Sequence, residues 1–218
     1  MDVIGLGAGG HSRVVIEILQ LGGQLRIVGL LDPRAELHGV EIHSIKILGD
    51  DSLLPKLRDE GITHAFIGVG TVGDIRPRLK VYEKVRQAGF ELVPAIHPRA
   101  FISPTANIGA GLTIMAGAIV NPLAIIGDNV IVNTAASVDH DCRLGDHVHI
   151  SPGANLGGGV TVGARSMIGM GAIILPGVTI GMDVIVGAGS LVKGDVPNGK
   201  VVVGTPGRVI RDNPALVG

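Results

Sequence analysis

"ISPTANIGAGLTIMAGAIVNPLAIIGDNVIV", residues 102–132, places an aliphatic side chain at every sixth position: Ile102, Ile108, Ile114, Val120, Ile126 and Val132. The beat continues without exception through Val138, Leu144, Ile150, Leu156, Val162, Ile168, Ile174, Ile180, Val186 and Val192. A helix repeats near 3.6 residues and a strand near 2, so neither yields six. A β-solenoid of hexapeptides does. The residue four places after each aliphatic is small or aliphatic, as at Ala118, Ala124, Val130, Cys142 and Ala154, and suits a corner of the coil. Gly follows the aliphatic at eight places, among them Gly109, Gly127 and Gly163, where it is expected to permit the tight turn. At three hexads per coil, fifteen hexads make five triangular coils.

The composition fits a regular interior of this kind. Gly makes up 35 of 218 residues and aromatics only 2%, too few rings for a conventional core. Mean hydropathy is high, at +0.48, yet Gly interrupts every apolar stretch short of the roughly 18 residues a membrane span needs. The start, "MDVIGLGAGG", lacks the basic stretch of a signal peptide. One cysteine excludes an internal disulfide and fits a reducing cytoplasm. A net charge of −1 argues against a nucleic-acid or membrane-surface partner.

Residues 1–97 follow a different grammar. Apolar runs at "MDVIGLG", "LRIVGLLD", "HAFIGVG" and "FELVPAI" read as strands. They alternate with helices at "SRVVIEILQLGG" (Val14, Val15, Ile18 and Leu19 at helical spacing), "DSLLPKLRDEG" (Asp51 or Ser52 near its start) and "DIRPRLKVYEKVRQAG". Such alternation predicts a parallel sheet, here half of a dinucleotide-binding fold. The expected division is an α/β domain over 1–97, a β-helix over 98–193 and a capping tail over 194–218.

Chemistry-bearing side chains concentrate in "SVDHDCRLGDHVHIS", residues 137–151, which holds three of the eight histidines and the only cysteine. The hexad register turns Cys142 inward and leaves His140, His147, His149, Asp139, Asp141 and Asp146 outward, so a core role for the histidines is excluded. A solvated face and a general base remain. A metal site fits poorly, because Cys142 and the histidines point to opposite sides of the wall; no metal is expected.

The hexad pattern resembles the hexapeptide-repeat acyltransferases. "GAGGHS", "LLD", "NTAASVDHDCRLGDHVHISPGANLGG" and "VGTPGRVI" narrow the resemblance to the bacterial acetyltransferases of nucleotide-linked 4-amino sugars and the related sialic acid O-acetyltransferases. The match spans nearly the whole chain. It implies a left-handed parallel β-helix, a homotrimer, and acetyl-CoA lying in the groove between subunits. It further implies that His140 is the general base, that Asp141 orients it, and that His149 lies near the acetyl thioester as a hydrogen-bond donor. Asn133 matches an asparagine near the acceptor, and Gly158, Met170 and Ala188 match positions along the CoA arm. In the tail, Arg208 is a candidate contact for a CoA phosphate.

"GLGAGGHS" carries Gly5-x-Gly7-x-x-Gly10, with Asp32 22 residues after Gly10. Alone this spacing says NAD, but a full dinucleotide fold does not fit in about 95 residues. Half a fold suits one nucleotide, with phosphate at the helix N-terminus. The resemblance implies that a UDP- or GDP-linked aminodideoxy sugar binds here. Gly9, Gly10 and His11 would lie at the loop and Asp32 near the nucleotide's ribose or base. Gly70 and Arg76 are further candidates beyond the third strand. The expected function is therefore acetyl transfer from acetyl-CoA to the sugar's 4-amino group. The rivals are O-acetylation of a sialic acid and a non-catalytic nucleotide-binding scaffold.

Overall fold

The computed structural model describes residues 1–71 and 73–213. The chain divides into two compact units, Met1–Pro98 and Arg99–Gly218.

The first unit contains β1 (Asp2–Leu6), α1 (Gly10–Gly22), β2 (Arg26–Leu31), β3 (Glu41–Ile42), β4 (Ile45–Gly49), α2 (Leu54–Asp59), β5 (His64–Ile67), α3 (Arg76–Gln87) and β6 (Glu91–Leu92). The sheet order is β3-β4-β2-β1-β5-β6. All neighbours are parallel except the β3–β4 hairpin. Strand order reverses beside β1, so a crevice is expected outside the carboxyl ends of β1 and β5. Ile4, Leu6, Leu31, Ile67, Val85 and Phe90 belong to the core packed on this sheet.

Several local expectations shift. Val14 is exposed, and α1 buries Ser12, Val15, Ile16, Ile18 and Leu19 instead. The cap of the 51–59 segment is Asp50, whose carboxylate accepts the Ser52 N–H at 2.9 Å. "FELVPAI" forms two short strands, β6 and Ala95–Ile96, because Pro94 between them has no N–H for a ladder. The β3–β4 hairpin went unread because its turn is His43-Ser44, at φ 49° and 62°, rather than the usual Asn-Gly.

The second unit is a left-handed parallel β-helix. Sixteen two-residue strands end at the sixteen aliphatic positions, from Phe101–Ile102 to Leu191–Val192. Up to the last coil, each strand pairs with the one 18 residues on. The first face stacks Ile102, Val120, Val138, Leu156, Ile174 and Val192. The second face runs from Ile108 to Ile180 and the third from Ile114 to Val186. From Val120 to Val192 every one of these aliphatics is at most 3% exposed, each burial contributing about 1.5–3 kcal/mol.

The turn residue is not the glycine directly after the aliphatic. Every turn from 111 to 189 places its left-handed residue three positions beyond the aliphatic. That residue is Gly or one of Leu123, Asn129, Ala135, Asp141, His147, Arg165 and Asp183, at φ 54–62°. The glycine after the aliphatic serves coil stacking instead: a Cβ on Gly163 would lie 2.5 Å from the backbone N of Met182.

Beyond the last coil, Lys200–Val203 pairs parallel to Ile185–Val186 and turns back through Arg208–Asp212. Carbonyls of Val196, Val202 and Gly204 accept the N–H groups of Gly181, Gly187 and Leu191. The tail therefore closes an edge that would otherwise expose unpaired backbone. Residues 214–218 of the tail lie outside the described residues. Among the described residues no helix is long and apolar enough to cross a membrane.

Candidate active site

His140 occupies the turn between the first and second faces. Its Nδ1 lies 2.8 Å from Oδ2 of Asp141, and the ring is 61% exposed. Asp141 takes the left-handed position of this turn, at φ 59°, which Asp tolerates better than most residues. Asp139 is engaged elsewhere: its Oδ1 accepts the His140 N–H at 2.8 Å and the Asn121 amide at 3.0 Å. Asp141 is therefore the carboxylate on the ring. It fixes the proton on Nδ1 and leaves the Nε2 lone pair outward. That hydrogen bond, and next the charge of Asp139, raise the histidine above its ordinary pKa.

Gly158 lies one coil further on at the same edge. A Cβ there would come within 2.6 Å of Cε1 and Nε2 of His140. Cys142 faces the interior, donates to the Gly157 carbonyl at 3.2 Å and is pushed up in pKa by burial. Among the described residues, no three His, Cys, Asp or Glu side chains gather as a ligand set.

His149 departs from the expected outward exposure. It sits on the third face between Ile131 and Met167 and is only 7% exposed. Asn133 Nδ2 lies 3.1 Å from His149 Nε2, and Asn133 Oδ1 accepts the Thr134 N–H at 2.8 Å. With that oxygen engaged, the Asn133 amide N–H is the group turned to His149 Nε2, a pairing that suits the tautomer with its proton on Nδ1.

The two histidines do not meet within one chain. They are nine residues apart on an 18-residue coil, so one leaves the edge between the first two faces while the other sits on the face opposite. Met170 and Ala188 stack at the edge between the third and first faces, both exposed. Asn133 lies at that edge too, whereas Gly158 stays with His140. Arg208 is exposed on the tail, its Nη1 on the Gly207 carbonyl, beside a cavity of about 220 Å³ that Lys193 also lines.

In the first unit the Gly-rich loop leaves β1 through Gly7, at φ +99°. Gly9 and Gly10 are exposed, and no atom lies within 4 Å of a Cβ built on either. Gly70 packs on His11, with its built Cβ 3.1 Å from the histidine Cβ. Arg76 forks onto Asp74 at 2.9 and 3.0 Å.

Asp32 is 4% exposed and fully engaged. Oδ2 accepts the Ala8 N–H and Arg34 Nη2; Oδ1 accepts the Arg34 N–H and Nε, all at 2.8–3.1 Å. Chiefly the Arg34 hydrogen bond holds its carboxyl below the usual range. A carboxylate offers about four acceptor positions, so Asp32 anchors the glycine loop and Arg34 rather than offering a lone pair to a ligand. A cavity of about 410 Å³ at the carboxyl ends of the strands is lined by Leu6, Leu31, Asp32, Arg34, Lys80 and Lys84, among others. The sequence reading missed Arg34, Lys80 and Lys84; Pro77, Lys80, Val81 and Lys84 form a helical stripe that would have exposed the last two.

Comparison with known proteins agrees with both units. Residues 2–85 match the PglD N-terminal domain, and residues 159–194 match the bacterial transferase hexapeptide (six repeats). A perosamine N-acetyltransferase from Caulobacter crescentus, solved with CoA and GDP-perosamine and with one histidine replaced by asparagine, is 42% identical. It covers 97% of this chain and 98% of its own, with a TM-score of 0.90. The acetyltransferase domain of PglB from Neisseria gonorrhoeae, solved with acetyl coenzyme A, is 37% identical, with coverage of 96% and 98% and a TM-score of 0.86. WeeI from Acinetobacter baumannii, at 24% identity, covers 96% of this chain and 100% of its own; with a TM-score of 0.74 it shares the fold. No curated protein matches.

Proposed function

The chain belongs to the nucleotide-aminosugar N-acetyltransferases built on hexapeptide repeats, and on that premise we infer that it moves acetyl from acetyl-CoA to the 4-amino group of a UDP- or GDP-linked aminodideoxy sugar, with His140 as general base. The observation that carries this reading is the exposed His140 ring on Asp141, with its Nε2 directed over the bare backbone of Gly158. The sugar's amine nitrogen bonds to the thioester carbonyl carbon, and its proton passes to His140 Nε2. The resulting oxyanion needs a donor, and the His149 Nδ1–H suits that role. The C–S bond then breaks, and the departing thiolate recovers the proton from the imidazolium.

Since His140 and His149 lie on opposite sides of one prism, we place each site between two protomers of a homotrimer. The His140 edge of one faces Asn133, His149, Met170 and Ala188 of the next. A closed ring of three equivalent contacts satisfies this geometry. The first unit takes the nucleotide at the glycine loop, and the reaction belongs to the cytoplasm, where one unpaired cysteine is at home.

A thiol-release assay with acetyl-CoA tests the reading. Turnover of UDP- or GDP-linked 4-amino sugars is expected. Turnover of free sialic acid alone would move the acceptor to a hydroxyl, and no release with any acceptor would leave only a scaffold.

A further inference from the structure

Among the described residues Arg78 is the largest fully buried side chain, at 1% exposure, on the inward stripe of α3 above Tyr82 and Val85. Its Nη1 donates to the Val69 carbonyl at 2.7 Å and approaches the Ile67 carbonyl and His11 Nε2 at 3.4 Å. Among the described residues, neither Nε nor Nη2 has a partner, and no carboxylate pairs with the guanidinium. Burial lowers its pKa to about 9, which still leaves it charged at neutral pH. An unpaired buried cation is a standing cost to the fold, and a charged group perturbed this far by burial marks a candidate functional position.

Its surroundings point to one kind of ligand. The contacts of Arg78 converge on the Gly68–Thr71 turn and on His11, in the first turn of α1. Ser12 Oγ, on that same turn of α1 and against Gly68, is also buried without a partner. The 13-residue helix α1 has no side-chain cap at Gly9 and no acidic residue in its first turn. Its N-terminal partial charge is therefore unopposed, and Gly9 and Gly10 leave the approach open. A buried guanidinium and a bare helix N-terminus thus add positive potential at one place, and both lack a counter-charge.

We propose that Arg78 is a positioning residue for the diphosphate of the nucleotide-linked sugar, holding the Gly68–Thr71 turn and His11 in place and contributing the charge that the bound diphosphate neutralises. This rests on the nucleotide-sugar reading of the first unit. It assigns the work to a residue that never reaches the surface, behind a loop whose visible members carry no charge.

The test compares Arg78→Met and Arg78→Lys with the wild-type chain by calorimetry, using UDP and GDP against uridine and guanosine. Arg78→Met is expected to weaken whichever diphosphate the protein binds by about tenfold or more, to leave the matching nucleoside within about twofold, and to keep or raise Tm, since a buried unpaired charge is gone. KM for the nucleotide-sugar should rise while KM for acetyl-CoA and kcat hold, and Arg78→Lys should recover most of the loss. Equal weakening of nucleoside and diphosphate, or unchanged diphosphate affinity in a folded variant, would overturn the assignment. If Arg78→Met does not fold, the wild-type Arg78 Nε–H resonance decides: it should shift on adding diphosphate but not nucleoside, and an unmoved signal refutes the role. Wild-type protein that binds neither UDP nor GDP would overturn the nucleotide reading as well, whereas binding that is insensitive to Arg78 removes this inference alone.

Discussion

Gly158 leaves the space that His140 fills: one coil apart along the same edge, the missing side chain of the one lies 2.6 Å from Cε1 and Nε2 of the other. The glycine matched to the CoA arm therefore also sets the position of the His140 ring. Gly158→Ala should push the imidazole off its line and lower kcat by about tenfold or more, with KM for acetyl-CoA within about twofold. A selective rise in that KM with unchanged kcat would show that the glycine only makes room for CoA.

His140→Asn keeps a polar side chain of similar reach without a basic nitrogen. Steady-state kinetics should show kcat falling by about 10²–10⁴ and KM for acetyl-CoA nearly unchanged. Near-normal turnover would remove the base assignment.

The pH profile follows from the Asp141 contact. A base must be neutral to accept a proton, and His140 is raised above its ordinary pKa. The acid limb of kcat/KM should therefore lie above the ordinary histidine value, with activity rising as pH increases through it. Asp141→Asn removes the largest cause of the shift, so the limb should move to lower pH while the plateau drops. A limb that stays put in Asp141→Asn would mean another group titrates.

Half-coil separation of His140 and His149 makes complementation decisive. Co-expressed His140→Asn and His149→Ala chains should form mixed rings. Each mixed ring of three has one junction with an intact His140 on one side and an intact His149 on the other. Equal mixing should restore about a quarter of wild-type sites, read as thiol release above that of either parent. No gain over the parents in confirmed mixed rings would remove the site shared between protomers.

Gly10 tests the first unit without disturbing its packing, because a Cβ there meets nothing within 4 Å. Gly10→Val should raise KM for the nucleotide-sugar by about tenfold and leave KM for acetyl-CoA within about twofold. Equal effects on both would mean the loop does not hold the nucleotide.

The six-residue period made the solenoid legible because each coil repeats one local problem, and sixteen aliphatic positions answer it alike. The reading of Gly109 and Gly163 as turn formers was off by two positions, since stacking space and backbone conformation both select glycine. Asp32 was legible as an acid at the right spacing, but its occupation by Arg34 and Ala8 is a three-dimensional fact. Arg78 was illegible for a deeper reason: a charged residue at a core position of a helix breaks the pattern that identifies cores. The His43-Ser44 turn left no trace because nothing in its composition marks a left-handed pair.

An 18-residue coil also makes the length of this protein quantised. Adding one whole turn of chain between His140 and His149 would raise one histidine by a single storey of about 4.8 Å and keep its compass bearing. Adding 17 residues would rotate every downstream side chain by one place, sending aliphatics to solvent and turn residues into the wall. Within its coils the wall can lengthen in register only by whole coils, and each such step slides the two halves of the reaction past each other along the axis without turning them apart.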